Sequence, residues 1–213
     1  MTHKKNHSHI IEQVPLDYYQ KGVKNNALQR AWHTRKLDVV ISSVKKYPKT
    51  ILDVGCASGW FLSRVHKQFP KAKCVGVDIY KDAVLYGKKK YPRITFRVSD
   101  AHTLPFKANT FDLIICTEVL EHVDDPQLAL KEIRRVLKTD GQAIIELDSG
   151  SVLFSVVWFL WGLSQGRVWN HSHVHSFNVQ KLERMLKKCG FTIESKKRFN
   201  LGMAMVFSAR KHD

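Results

Sequence analysis

The stretch Ile51-Leu52-Asp53-Val54-Gly55-Cys56-Ala57-Ser58-Gly59-Trp60 decides the fold. A short strand-like run passes directly into a turn of small side chains, and Trp60 opens a helical segment. Small residues at 55, 57 and 59 let the backbone bend sharply and come close to a ligand. The same unit recurs outward from there. Cys74-Val75-Gly76-Val77, Ile94-Thr95-Phe96-Arg97-Val98, Phe111–Cys116 and Ala143–Leu147 are short apolar runs of the kind that fill a parallel sheet. Helical segments separate them: Trp60–Phe69, Lys81–Lys90, and Pro126–Leu137, the last opened by Asp125 as N-cap with proline at the first helical position. Lys138-Thr139-Asp140-Gly141 reads as a turn into the fifth strand. A last helix, Val179–Cys189, lies between an Asn178 cap and a Gly190 stop, and Phe191–Phe199 and Met203–Ala209 read as closing strands. Upstream, residues 15–47 read as largely helical, with Leu28, Ala31, Leu37, Val40, Ile41 and Val44 at helical spacing. The alternation predicts an α/β fold with an open, mostly parallel sheet covered on both faces.

Length and composition agree. The 213 residues suit one α/β domain, and 44% hydrophobic content argues against intrinsic disorder. The expected division is a disordered tail at 1–13 and a single domain at 14–213. Cys56, Cys74, Cys116 and Cys189 form no C-x-x-C pair and no zinc-ligand spacing, which predicts buried free thiols. Met1–His9 has no apolar region of the secretory kind. The longest apolar run, Val152–Leu163, is shorter than the ~20 residues that span a bilayer. A cytoplasmic protein is therefore expected, with peripheral membrane contact as an option.

In open sheets of this kind the ligand binds beyond the carboxyl ends of the strands, where the strand order reverses. Three successive tips carry polar groups: the Asp53–Gly59 turn, Asp78 in Val77-Asp78-Ile79, and Asp100 in Ser99-Asp100-Ala101. A carboxylate about 20 residues after the first turn suits ribose hydroxyls. A dinucleotide reading fits less well. Its third glycine would fall at Trp60, where bulk obstructs helix–strand packing.

Asp53–Gly59, Gly76-Val77-Asp78, Ser99-Asp100-Ala101 with Leu104-Pro105-Phe106, and the run FDLIICTEVLEHV from Phe111 resemble the class I S-adenosylmethionine-dependent methyltransferases. Within that class they are similar to the branch that includes the ubiquinone and menaquinone biosynthesis methyltransferases. The resemblance is close over about residues 50–148 and looser through Phe177–Phe191. It implies a Rossmann-like, seven-stranded sheet whose last strands form an antiparallel hairpin. It implies S-adenosyl-L-methionine as cofactor and S-adenosyl-L-homocysteine as product. Gly55, Ala57 and Gly59, with Cys56 between them, would pass under the methionine moiety, and Asp53 would orient the loop or the amino group. Asp78 would hold the ribose hydroxyls beside Ile79, Asp100 the adenine amino group, and Ala101 the adenine ring. Thr117 would face the sulfonium. Ala57 stands where many members have glycine, and it keeps the small size.

Methyl transfer from a sulfonium is an in-line displacement, so the protein must chiefly position a nucleophile and exclude water. Candidate catalytic groups are His122, beside Glu118 and Glu121, and His171, His173 and His175. The three alternating histidines have no carboxylate or cysteine neighbour, and no metal is expected. They fall in residues 149–177, an insertion expected to act as the acceptor lid, with Trp158 and Trp169 lining it. Residues 14–48 are expected to cover the donor, with Tyr19, Arg30 and His33 as candidate contacts.

The reading is a methyltransferase acting on a small-molecule or lipid-like acceptor. An RNA methyltransferase and a non-catalytic cofactor-binding module are the alternatives. No [Asp/Asn]-Pro-Pro-aromatic run, used on exocyclic base amines, occurs in the chain. The formal charge of +16 first suggests nucleic acid. Residues 1–50 carry +7, 51–150 carry +2 and 151–213 carry +7. The excess thus sits on the cover and lid regions, which favours an anionic acceptor or an anionic membrane surface through 152–163 over nucleic acid.

Overall fold

The structure, a computed structural model, describes residues 13–163 and 173–212. The expected N-terminal tail lies, but for residue 13, outside them. Seven strands form one sheet: β1 Thr50–Val54, β2 Lys73–Asp78, β3 Thr95–Val98, β4 Phe111–Thr117, β5 Leu137–Asp148, β6 Phe191–Phe199 and β7 Ala204–Lys211. Their order is β3-β2-β1-β4-β5-β7-β6. The first five run parallel, and β7 pairs antiparallel with both β5 and β6. The order reverses between β1 and β4, which opens a crevice beyond their carboxyl ends.

The period-2 alternation of the strands separates two cores. Leu52, Ile114 and Ile145 face α5 (Pro126–Val136) and α7 (Val179–Lys188). Ile51, Leu113 and Ile144 face α2 (Ala27–Ser42) and α3 (Trp60–Gln68), with α4 (Lys81–Lys90) alongside. The central strands β1 and β4 are therefore buried on both faces and read as continuous apolar runs, while the edge strands β3 and β6 are partly exposed. Helix ends follow the expected chemistry. Asp125 Oδ1 accepts from the backbone N–H groups of Gln127 and Leu128, Asn178 accepts from Lys181 N, and Gly190 takes φ +79° after α7.

The N-terminal stretch is helical as expected, and one expectation, the turn at 138–141, is corrected. The helical stretch over 15–47 is two helices, α1 (Tyr18–Asn25) and α2, because Asn26 leaves helical geometry and its side chain caps the second through Gln29 N. The turn expected at 138–141 lies within β5. Phe111 pairs with Leu137, then Leu113 pairs with Gln142, so the extra residues of β5 bulge out before regular pairing resumes. All four cysteines are buried and free. Among the described residues no helix is long and apolar enough to cross a membrane.

Asp112 fastens the amino end of the sheet. Its Oδ2 accepts from Lys49 N (3.0 Å), Thr50 N (2.7 Å) and Thr50 Oγ1 (2.8 Å), and its Oδ1 from Lys138 Nζ (2.7 Å). Burial pushes this carboxyl upward, but the Lys138 and Thr50 hydrogen bonds outweigh it and hold the group below its ordinary value. Asp112→Ala is expected to cost about 1–3 kcal/mol, since several donors lose their acceptor. The contribution is full above the ordinary aspartate value of about 3.9 and is lost as pH falls through the depressed folded value. Urea titrations of both proteins at neutral and acid pH check this: the gap should narrow on acidification.

Candidate active site

The loop after β1 is shaped by three left-handed residues: Gly55 (φ +76°), Ala57 (φ +45°) and Gly59 (φ +79°). Gly55 N and Cys56 N both donate to Val77 O, folding the loop back against β2. A Cβ on Gly55 would collide with the Val119 side chain, which descends from the turn after β4. At Ala57 the left-handed conformation strains an L residue, and glycine would relieve it. Ala57 N donates to Asp78 Oδ2 (2.7 Å) and Tyr80 N to Asp78 Oδ1 (2.8 Å). The tip carboxylate of β2 is thus tied to the loop of β1 and is not the cap of α4, whose N-cap is Tyr80.

Above this floor lies a cavity of about 840 Å³. Of the residues expected to hold the cofactor, Gly55, Ala57, Asp78, Ile79, Asp100 and Ala101 line it. Tyr19 and His33 cover it from α1 and α2. Their rings meet edge to face at 5.2 Å, and His33 in turn meets Trp60 at 5.9 Å. His122, His173 and Trp158 of α6 (Val152–Gly162) line it as well.

Other expected residues are not on the cavity wall. Asp53 is 2% exposed beneath the loop, on the Ile51 side of β1. Burial, then the charge of Asp78, raises its carboxyl to about 8. Asp78 is itself raised by burial, against the pull of its backbone donors. Cys56 packs its thiol against bare Gly76, where a Cβ would come within 2.7 Å of Sγ. Gly59 closes the turn by donating to Cys56 O, and the space left by its missing side chain is taken by the Phe96 ring. Thr117 ends β4 short of the cavity, and its neighbour Glu118 lines it instead. Arg30 turns back to the end of α1, donating to Val23 O and Lys24 O, because that helix terminus leaves its carbonyls without partners. His171 and Trp169 lie outside the described residues.

His173 and His175 part company. Val174 N and His175 N both donate to Glu121 O (2.8 and 3.1 Å), so the chain bends there and is not a strand. His175 Nε2 lies 3.2 Å from Asp124 O, while His173 faces the main cavity. Burial, reinforced by the neighbouring charge of His122, lowers His173 to about 4, and burial with Lys36 lowers His33 to about 4.

Three features escape sequence reasoning. Lys36, on α2, is 2% exposed and pairs with Glu118 and, at 3.6 Å, with Glu146. Burial alone would lower its ammonium, but these two carboxylates raise it. The second feature is the carboxyl group cluster around that lysine. Burial opposes ionisation of Glu118, yet Lys36 pulls it down to about 2; burial raises Glu146 to about 8 and drives Glu121 and Asp148 well upward. The available signal was Glu146, a charge inside an otherwise apolar strand. The third is His102, which also lines the cavity. Its Nδ1 is 2.7 Å from Asp100 Oδ1, and its Nε2 accepts from Asp125 N (3.1 Å), so the bonding pattern selects the neutral Nδ1–H form.

Residues 52–145 match the family model described as a methyltransferase domain. The chain is 33% identical over 139 residues to an uncharacterised methyltransferase of Schizosaccharomyces pombe, a match covering 58% of this chain and 49% of that one. It is 32% identical over 96 residues to a ubiquinone/menaquinone biosynthesis C-methyltransferase of Desulfotalea psychrophila, covering 44% and 39%. The chain therefore spans half or less of the length of these curated relatives. Among solved structures, a SAM-dependent methyltransferase of Thermotoga maritima, described as a possible histamine N-methyltransferase, superposes with TM-score 0.73 at 21% identity, covering 95% and 98%. The matched segment and the sheet order make this chain similar to methyltransferase domains, and the fold is the one it shares with that solved structure.

The buried ion pair generates a stability prediction. Lys36→Met strands the Glu118 charge and is expected to cost about 3–5 kcal/mol. Lys36→Met/Glu118→Gln removes both charges and should recover part of the loss in chemical denaturation. Simple additivity of the two single losses would show that the pair is not coupled.

Proposed function

We propose that this chain transfers a methyl group from S-adenosylmethionine to a small, lipid-like acceptor. The observation that carries the reading is the continuity of one cavity. It is lined both by Gly55 and the Asp78 carboxylate and by Phe154 and Trp158 of α6. The donor-side residues fit the cofactor. Gly55 and Ala57 line the cavity, and Asp78 keeps lone pairs beyond those used by Ala57 and Tyr80. Ile79, half exposed, offers an apolar shelf, and Asp100 has an oxygen not engaged by His102. When bound, the cofactor supplies an activated methyl carbon on a sulfonium. Asp78 would hold its vicinal hydroxyls and Asp100 its amine, and Tyr19 and His33 would exclude water from above. His122 and His173 face the end left for the acceptor.

The lipid-like character rests on α6. Phe154 and Trp158 turn into the cavity, while Val152, Phe159 and Leu160 are 82%, 66% and 59% exposed. A helix apolar on both sides suits a lid that meets an anionic lipid surface, and the +7 carried by each end region supplies the attraction.

Calorimetry with S-adenosylhomocysteine tests the donor side. Binding tighter than millimolar is expected, and Asp78→Ala should weaken it at least tenfold; equal affinity would mean that the ribose assignment is wrong. Sedimentation with anionic and neutral vesicles tests the lid. The wild type should favour anionic vesicles, and Phe159→Glu/Leu160→Glu should lose that binding while its cofactor affinity stays unchanged.

A further inference from the structure

Where the lid meets the turn after β4, three groups from distant parts of the chain converge. Glu121 and His122 come from the turn and His173 from the lid segment, and one ligating atom of each lies within 4.8 Å of the others. Glu121 is 3% exposed, and neither of its carboxylate oxygens has a hydrogen-bond partner. A buried carboxyl group without partners calls for a proton or a cation.

The convergence is built by the backbone. The paired N–H groups of Val174 and His175 on Glu121 O hold the lid segment against the turn. His173 is stacked on Trp158 at 5.0 Å and tilted against His122 at 4.9 Å, which fixes its ring plane. Its Nε2 lies 4.0 Å from Asp148 Oδ2, and Asp148 Oδ1 is again buried without a partner. A carboxylate beside a ligating imidazole is the usual outer support of a metal-bound histidine. The carboxylate missing from the histidine run in sequence is thus supplied by the fold.

We infer that Glu121, His122 and His173 bind a divalent transition-metal ion on the acceptor side of the cavity. Two imidazoles and one carboxylate suit zinc or cobalt better than magnesium or calcium, which favour all-oxygen shells. Ligand atoms sit roughly 3–3.5 Å apart around a tetrahedral ion with bonds of about 2 Å, so small side-chain rotations close the set. All three ligands line the cavity, leaving the remaining coordination positions open to it. An oxygen of the acceptor would bind there, and this last step rests on the methyl-transfer reading above.

The test uses the full chain, stripped with chelator and titrated with Co²⁺, reading the visible ligand-field absorption. Zn²⁺ binding is followed in parallel by equilibrium dialysis. His3→Ala/His7→Ala/His9→Ala forms the background, so that the N-terminal histidines offer no competing ligands. One equivalent of Co²⁺ with a tetrahedral-type spectrum is expected. Glu121→Gln and His173→Ala should each weaken binding at least tenfold. No ligand-field spectrum, or affinity unchanged in both variants, overturns the site; Glu121 would then be a protonated buried acid. S-adenosylhomocysteine binding by the same background protein tests the transfer reading separately.

Discussion

The seat of Val119 on Gly55 is the contact on which the site depends. The loops after β1 and β4 flank the point where strand order reverses, and they close on each other only because residue 55 lacks a side chain. That closeness brings the Glu118–His122 turn over the β1 loop. It also fixes where α2 and the lid segment must dock, because Lys36 pairs with Glu118 and two lid amides bond Glu121 O. The β1-loop residues and the His173 segment of the cavity wall are therefore joined through one stretch of backbone.

Charge beneath that turn is settled by proton content as much as by pairing. One buried ammonium faces Glu118, Glu121, Glu146 and Asp148, and it keeps Glu118 ionised at the expense of the others. Burial leaves the remaining three well above their ordinary values. A cluster of buried carboxyl groups that shares one ammonium can redistribute its charge without rearranging its packing.

Much of this was legible in the sequence. The strand runs, the Asp125 and Asn178 caps and the Asp78 tip are local signals, since each depends on residues within a few positions. What escaped depends on contacts across long separations. Lys36 reads as an ordinary helix lysine until Glu118 and Glu146 are brought to it. The 138–141 stretch has turn composition, yet pairing with β4 resumes around it as a bulge. His173 and His175 share a strand face only if the segment is extended, and two amides converging on one carbonyl bend it. Arg30 answered the nearer demand of a helix terminus, which spacing alone does not reveal.

Cys56 stands in the donor loop itself, and its burial has a chemical consequence. A thiolate is a good nucleophile, so a protein that keeps a methylating electrophile beside an ionised cysteine would alkylate itself. Here the thiol is turned away against Gly76, and burial, with Asp78 and Asp53 adding to it, drives its ionisation far upward. Cys74, Cys116 and Cys189 are likewise raised, with burial the first cause in each. Burial thus keeps the four thiols of the folded chain in their protonated, weakly nucleophilic form.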